Sequence, residues 1–196
     1  MTILGLTGSF GTGKTFVASV FKKLGAKIID ADAIAHAVIR KGTGVHKKMV
    51  ILFGGGILDK RGNINRRKTA EIIFKNKANV KKLNGIVHPA VIRIIKEKVG
   101  RCASGDIVVI DAPLLIEARL TGITDKLIVV KASRKKQIER CKAKFRISEK
   151  EVLKRIGSQL PLTEKIKLAD FVIDNNGTKS ETTTKIKKAW RKIVWK

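Results

Sequence analysis

The sequence predicts an α/β fold, a parallel sheet covered by helices on both faces, and three observations carry it. Apolar runs of strand length recur at Ile3 to Leu6, Lys27 to Ile29, Ile107 to Ile110, Leu127 to Val130 and Phe171 to Ile173. Segments with helical periodicity lie between them, the alternation that builds parallel sheets with crossover helices. The first run leads directly into Gly8-Ser-Phe-Gly11-Thr-Gly13-Lys14-Thr15, a fit to G-x-x-x-x-G-K-[ST], and Phe16 to Phe21 behind it has helical spacing. Ligands in such sheets bind at the carboxyl ends of strands, so those ends are the places to search.

The loop after the first strand carries the strongest signal. Glycines let the backbone turn its N–H groups inward and bring them close to phosphate oxygens, where side chains would block approach. The following helix adds its positive N-terminal end. Lys14 suits the β- and γ-phosphates of a nucleoside triphosphate, and the Thr15 hydroxyl suits the Mg²⁺ that bridges them. Gly8, Gly11, Thr12 and Gly13 complete the expected nucleotide cradle.

The second strand ends at Asp30, with Asp32 just beyond it. A carboxylate there can act as a base toward an acceptor hydroxyl, or it can cap the helix that starts near Ala33; local sequence leaves both open. From Ala31 to Gly100 there is no clear strand. Helices are expected at Ala33 to Arg40, Val45 to Phe53, Arg67 to Phe74 and Val80 to Val99, broken by Gly54-Gly55-Gly56 and by Asp59 to Gly62. Such a helical insertion would form a substrate-side subdomain.

Asp111 ends the third strand run and reads either as a helper for a bound metal or as a carboxylate held by local amides. Phe145 to Pro161 is a candidate mobile lid, in which Ser148 followed by Glu151 resembles a capping box and Pro161 closes the helix. Arg155 and Gln159, four apart, would share one face of it. The final stretch, Lys179 to Lys196, reads as an amphipathic helix with Ile186, Trp190 and Ile193 or Val194 inward. At 196 residues, one domain is expected.

A formal net charge of +27, from 43 Lys and Arg against 16 Asp and Glu, would ordinarily suggest nucleic acid. The charges are instead spread along the chain without interleaved aromatic residues to stack on bases, so specific nucleic-acid binding is not expected. Solvated lysine-rich faces and a polyanionic small substrate account for the balance. Cys102 and Cys141 lack a CxxC partner, and His36, His46 and His88 are scattered, so neither a disulfide framework nor a zinc site is indicated. No apolar stretch reaches the length of a membrane span, and a cytoplasmic location is expected.

Taken in order, Gly5 to Thr15, Ile29-Asp-Ala-Asp-Ala-Ile-Ala35, Leu52-Phe-Gly54, Asn65-Arg66, His88-Pro89 and Asp111-Ala-Pro-Leu-Leu-Ile-Glu117 resemble the dephospho-coenzyme A kinase family. Gln137-Ile-Glu-Arg140, Arg155-Ile-Gly-Ser-Gln159 and Ala169 to Gly177 continue the likeness over nearly the whole chain. The resemblance implies a P-loop kinase with a five-stranded parallel sheet, a helical substrate-binding insertion at about residues 33–100 and a lid at about 142–161, set on a core of about 1–32 and 101–196. It implies transfer of phosphate from ATP, with Mg²⁺, to the 3′-hydroxyl of the dephospho-coenzyme A ribose by a monomer or small homo-oligomer.

By position, the resemblance makes Asp32 the catalytic base and Arg140 the residue that neutralises charge on the transferring group, beside Lys14. Arg66, His88, Leu115, Glu117 and Arg155 would bind substrate with Asp32, and Asn175 would lie near the adenine. The chain departs from the family at Ser9, where glycine is usual and positive φ would strain the backbone. It departs again at Lys144 and Phe145, where an Arg-Asp pair is common in the lid and Arg146 could substitute. Rival readings are another small-molecule kinase, acting on a nucleoside or nucleotide, and an ATP-dependent nucleic-acid-binding module.

Overall fold

The computed structural model describes residues 1–73 and 76–194, with the side chains of Arg66 and Lys77 also outside the described set. All five strands form: β1 (Thr2–Gly8), β2 (Lys27–Asp30), β3 (Ile107–Asp111), β4 (Lys126–Lys131) and β5 (Phe171–Asp174). They make one parallel sheet in the order β2-β3-β1-β4-β5. Each strand outruns its apolar stretch because polar end residues still pair: Gly8 lies opposite Val130, and Asp111 opposite both Leu6 and Asp30. The chain leaves β1 toward β2 on one side and leaves β4 toward β5 on the other. The crevice at the carboxyl ends of β1 and β4 is therefore the switch point of the sheet, where such folds bind ligands.

Residues group by contact into two units, Met1–Asp30 with Cys102–Lys196, and Ala31–Arg101. In the first, α1 (Lys14–Lys23) and α9 (Lys179–Val194) pack on one face of the sheet. Leu4, Leu6, Val17, Phe21, Ile128 and Ile186 form the centre of that core and are fully buried. Each such side chain contributes about 1.5–3 kcal/mol of burial. On α9, Ile193 joins the core beside Trp190 while Val194 is exposed, which resolves the inner face of that helix. On the opposite face of the sheet, Leu115 packs so closely over β1 that a Cβ on Gly5 would lie 3.0 Å from its Cδ1.

The remaining helices of this unit are α6 (Arg134–Phe145), α7 (Glu149–Gly157) and α8 (Leu162–Lys167). Ser148 caps α7 by accepting from the Glu151 amide at 3.2 Å, as expected, but the Glu151 carboxylate turns to Arg155. Pro161 does not close α7, which ends at Gly157; it stands before α8, where a fixed φ favours helix entry.

The second unit contains α2 (Ala31–Val38), α3 (Gly44–Phe53), α4 (Arg66–Ile73) and α5 (Lys77–Gly100). The helix α3 starts where the Thr43 hydroxyl accepts from the His46 amide at 3.1 Å and stops at Gly54, whose φ of 76° suits glycine. The helix α5 begins three residues before the expected Val80, because the Asn76 side chain caps it through the Ala78 amide at 2.8 Å. His46 is buried with Nε2 2.9 Å from the Gly62 carbonyl, a structural role. The expected helix ends at Phe74 and Lys196 fall outside the described residues.

Candidate active site

The loop between β1 and α1 turns on two glycines. Gly11 and Gly13 have φ of 82° and 87°, in the left-handed region where a Cβ is strained. A Cβ on Gly11 would lie 2.7 Å from Cys141 Sγ, and one on Gly13 would collide with the Asn175 amide. Within the loop, the Ser9 carbonyl accepts from the Thr12 amide at 3.2 Å and the Thr12 hydroxyl at 2.9 Å. Ser9 itself is not among the residues with positive φ, so the expected strain at this departure from the family is absent. Gly13 then hands the chain to α1, whose first-turn amides point toward the cradle.

Lys14 opens α1, and its ammonium pairs with the Asp111 carboxylate at the end of β3. Asp111 is therefore held by a distant lysine, in contrast to the local-amide reading. Burial pushes its carboxyl above the ordinary range; the Lys14 charge opposes that push and nearby Asp30 adds to it. A triphosphate in the loop would compete with Asp111 for Lys14. Thr15 is exposed in the same helical turn.

Arg140 and Asn175 brace the loop from behind. Arg140 donates to the Thr12 carbonyl at 3.4 Å and to the Asn175 carbonyl at 2.9 Å. Asn175 is buried, donates from Nδ2 to the same Thr12 carbonyl at 2.8 Å and accepts from the Thr182 hydroxyl at 3.0 Å. Its side chain is thus committed to loop and helix, beyond the work of a simple turn residue. Arg140 uses two of its N–H-bearing nitrogens on backbone and keeps donors for an anion.

Residues 142–161 sit on the loop's tip. The Phe10 and Phe145 rings stack with centroids 5.4 Å apart, and the Arg155 guanidinium lies 5.3 Å over the Phe10 ring. Arg155 also pairs with Glu151 at 2.8 Å. Gln159 lies beyond the end of α7, so it does not continue the Arg155 face of that helix; its Oε1 accepts from the Phe10 amide at 2.9 Å and the Ser9 hydroxyl at 3.2 Å. Phe145, where the family commonly has part of a charged pair, is instead an aromatic partner of the loop.

Leu115 is fully buried in the core. Glu117 accepts from the Leu160 amide and from Lys165, both at 2.9 Å. Of the candidates in the helical unit, Asp32 is exposed in the first turn of α2 and His88 is half-buried on α5, where burial lowers its pKa. Arg66 opens α4, with its side chain outside the described residues. The sequence reading missed the Lys14–Asp111 pair and the Gln159 contacts. Tertiary pairing at a strand end and a glutamine past a helix end leave no periodic signal.

For Mg²⁺, the Thr15 hydroxyl and the Asp111 carboxylate form a hard-oxygen donor set that fits. Magnesium takes few protein ligands and draws the rest from phosphates and water. Among the described residues no cluster of three His, Cys, Asp or Glu could hold a metal by itself.

The family model for Dephospho-CoA kinase matches residues 2–181 of the chain. A curated Dephospho-CoA kinase from Geobacillus kaustophilus is 44% identical over 181 residues, covering 91% of this chain and 90% of that protein. Among solved structures, TT1252 from Thermus thermophilus superposes with a TM-score of 0.89 at 30% identity, covering 98% of this chain and 97% of the other. Dephospho-CoA kinase from Campylobacter jejuni gives a TM-score of 0.71 at 25% identity, covering 98% and 96%.

Proposed function

The chain belongs to the dephospho-coenzyme A kinase family, whose reaction is the last step of coenzyme A synthesis, and we propose from this premise how its residues divide the work. ATP is the phosphoryl donor and dephospho-coenzyme A the acceptor, through the 3′-hydroxyl of its ribose. The observation that carries the donor half is Lys14, held at the mouth of a loop whose glycines at 11 and 13 leave the backbone open to phosphate oxygens.

Phosphoryl transfer needs positioning and charge neutralisation more than covalent help. Loop amides and the N-terminus of α1 bind the β- and γ-phosphates, and Lys14 exchanges Asp111 for them. Arg140, anchored on Thr12 and Asn175, presents its remaining N–H groups to the charge that spreads over the equatorial oxygens in the transition state. Thr15 and Asp111 would hold Mg²⁺, which supplies neutralisation of the β- and γ-oxygens when bound. Asp32 orients the ribose hydroxyl and accepts its proton, a role supported by its place in the family's motif just after β2.

His88 and Arg66 are assigned to the acceptor side. Residues 142–161 form the lid, whose closure excludes water and suppresses hydrolysis of ATP. Two polyanionic substrates give the +27 chain a use for a positive cleft without any nucleic-acid partner.

The variant Asp32→Asn tests the division of labour. It should bind an ATP analogue as the wild type does while turnover falls by about 10²–10⁴-fold. Turnover within a few-fold of wild type would remove Asp32 from the role of base.

A further inference from the structure

We propose that Gln159 is a positioning residue for the phosphate loop, held in register by an ion pair between buried Lys165 and Glu117. Gln159 Oε1 receives two hydrogen bonds from the loop's tip, from the Phe10 amide at 2.9 Å and the Ser9 hydroxyl at 3.2 Å. The next residue, Leu160, donates its amide to Glu117 at 2.9 Å, on the segment that follows β3. The same carboxylate oxygen accepts from Lys165 Nζ at 2.9 Å.

Lys165 is fully buried, and its ammonium also donates to the Pro113 carbonyl at 2.7 Å, which accepts from the Thr7 hydroxyl at 3.0 Å as well. A buried ammonium is tolerated only with such partners, so this anchor does not drift. The junction between α7 and α8 is thereby fastened to β1 and to the chain after Asp111, and it reaches back to the loop through one side chain.

The consequence is a division between holding the loop and holding the nucleotide. Phe10 lies at the outer end of a cradle whose inner end is braced by Arg140 and Asn175 through Thr12. Gln159 supplies the outer brace, so the cradle is preorganised and less ordering is left for nucleotide binding to drive. Glu117, implied by resemblance to bind substrate, acts here through Leu160 and Gln159 instead.

The inference rests on nucleotide occupying the loop, and the test separates the two. Affinity for a nonhydrolysable ATP analogue is measured by calorimetry, alongside steady-state kinetics with ATP and dephospho-coenzyme A varied in turn. Gln159→Ala should weaken analogue binding and raise KM for ATP by about tenfold, with kcat and KM for dephospho-coenzyme A within about twofold of wild type.

Glu117→Ala should raise KM for ATP, and Glu117→Gln, whose amide oxygen still accepts from Leu160 but whose charge beside Lys165 is gone, should raise it less. Unchanged analogue affinity in Gln159→Ala, or parallel rises in both KM values, would overturn the positioning role. Wild-type protein that binds no analogue would overturn the loop assignment itself, and this inference with it.

Discussion

Substituting alanine at Gly13 should damage the loop in a way that depends on Asn175. At φ of 87° the new Cβ costs about 1–2 kcal/mol from backbone strain alone. It also collides with Asn175 Nδ2, displacing the buried amide from the Thr12 carbonyl it meets at 2.8 Å. Leaving those buried groups short of partners costs about 1–3 kcal/mol more. The single variant should therefore lose about 2–5 kcal/mol, the combined range of those two effects. Asn175→Ala alone should lose about 1–3 kcal/mol, because it strands the Thr182 hydroxyl and leaves the Thr12 carbonyl to the longer 3.4 Å contact from Arg140.

In the double variant the collision is gone. The nearest remaining neighbour, Arg140 Nη1, would sit 3.5 Å from the Cβ, an ordinary contact. The double variant should thus fall short of additivity by about 1–3 kcal/mol. Urea denaturation of the four proteins measures this, read as midpoint shifts at constant slope. Full additivity would show that Asn175 does not press on Gly13, and the account of the loop's rear brace would be wrong.

Two other outcomes follow from the site. Thr15→Ala should raise the Mg²⁺ concentration for half-maximal activity by about tenfold, and metal-free binding of an ATP analogue should not change; an unchanged Mg²⁺ requirement would take Thr15 out of metal binding. Burial holds the His88 imidazole below its ordinary value of 6.5, so the unfolded chain takes up the proton more readily than the folded one. Its neutral form costs no stability above 6.5, stability falls as pH drops below that value, and the fall levels off below the lowered folded value. His88→Gln should flatten that part of the stability profile between about pH 7.5 and pH 5.5, and an unaltered slope would contradict the burial argument.

What the sequence made legible was whatever repeats or clusters locally. Apolar runs marked all five strands because strands buried on both faces need continuous Val, Ile and Leu, as in Ile107 to Ile110 and Leu127 to Val130. The loop was legible because only glycine tolerates the conformations found at 11 and 13.

Contacts made across the fold were hidden. Lys14 and Asp111 are 97 positions apart and meet because β3 lies beside β1. Gln159 was read as part of a helical face that in fact ends at Gly157, and nothing in the local sequence set Lys165 apart from the chain's other lysines, although it is fully buried. Leu115 was carried over with its neighbours in a motif, and the turn that follows β3 packs it in the core above Gly5. Ser9 was suspect because the family usually has glycine there; its backbone is unstrained because the left-handed turns fall at Gly11 and Gly13.

The central claim is best tested by offering the purified chain ATP and Mg²⁺ with a panel of acceptors, and identifying products by mass and by the position of the new phosphate. The account predicts stoichiometric gain of one phosphoryl group on the ribose 3′-hydroxyl of dephospho-coenzyme A, with no comparable transfer to nucleosides or nucleoside monophosphates. Preferred transfer to a nucleoside monophosphate, or phosphate appearing elsewhere on dephospho-coenzyme A, would contradict it.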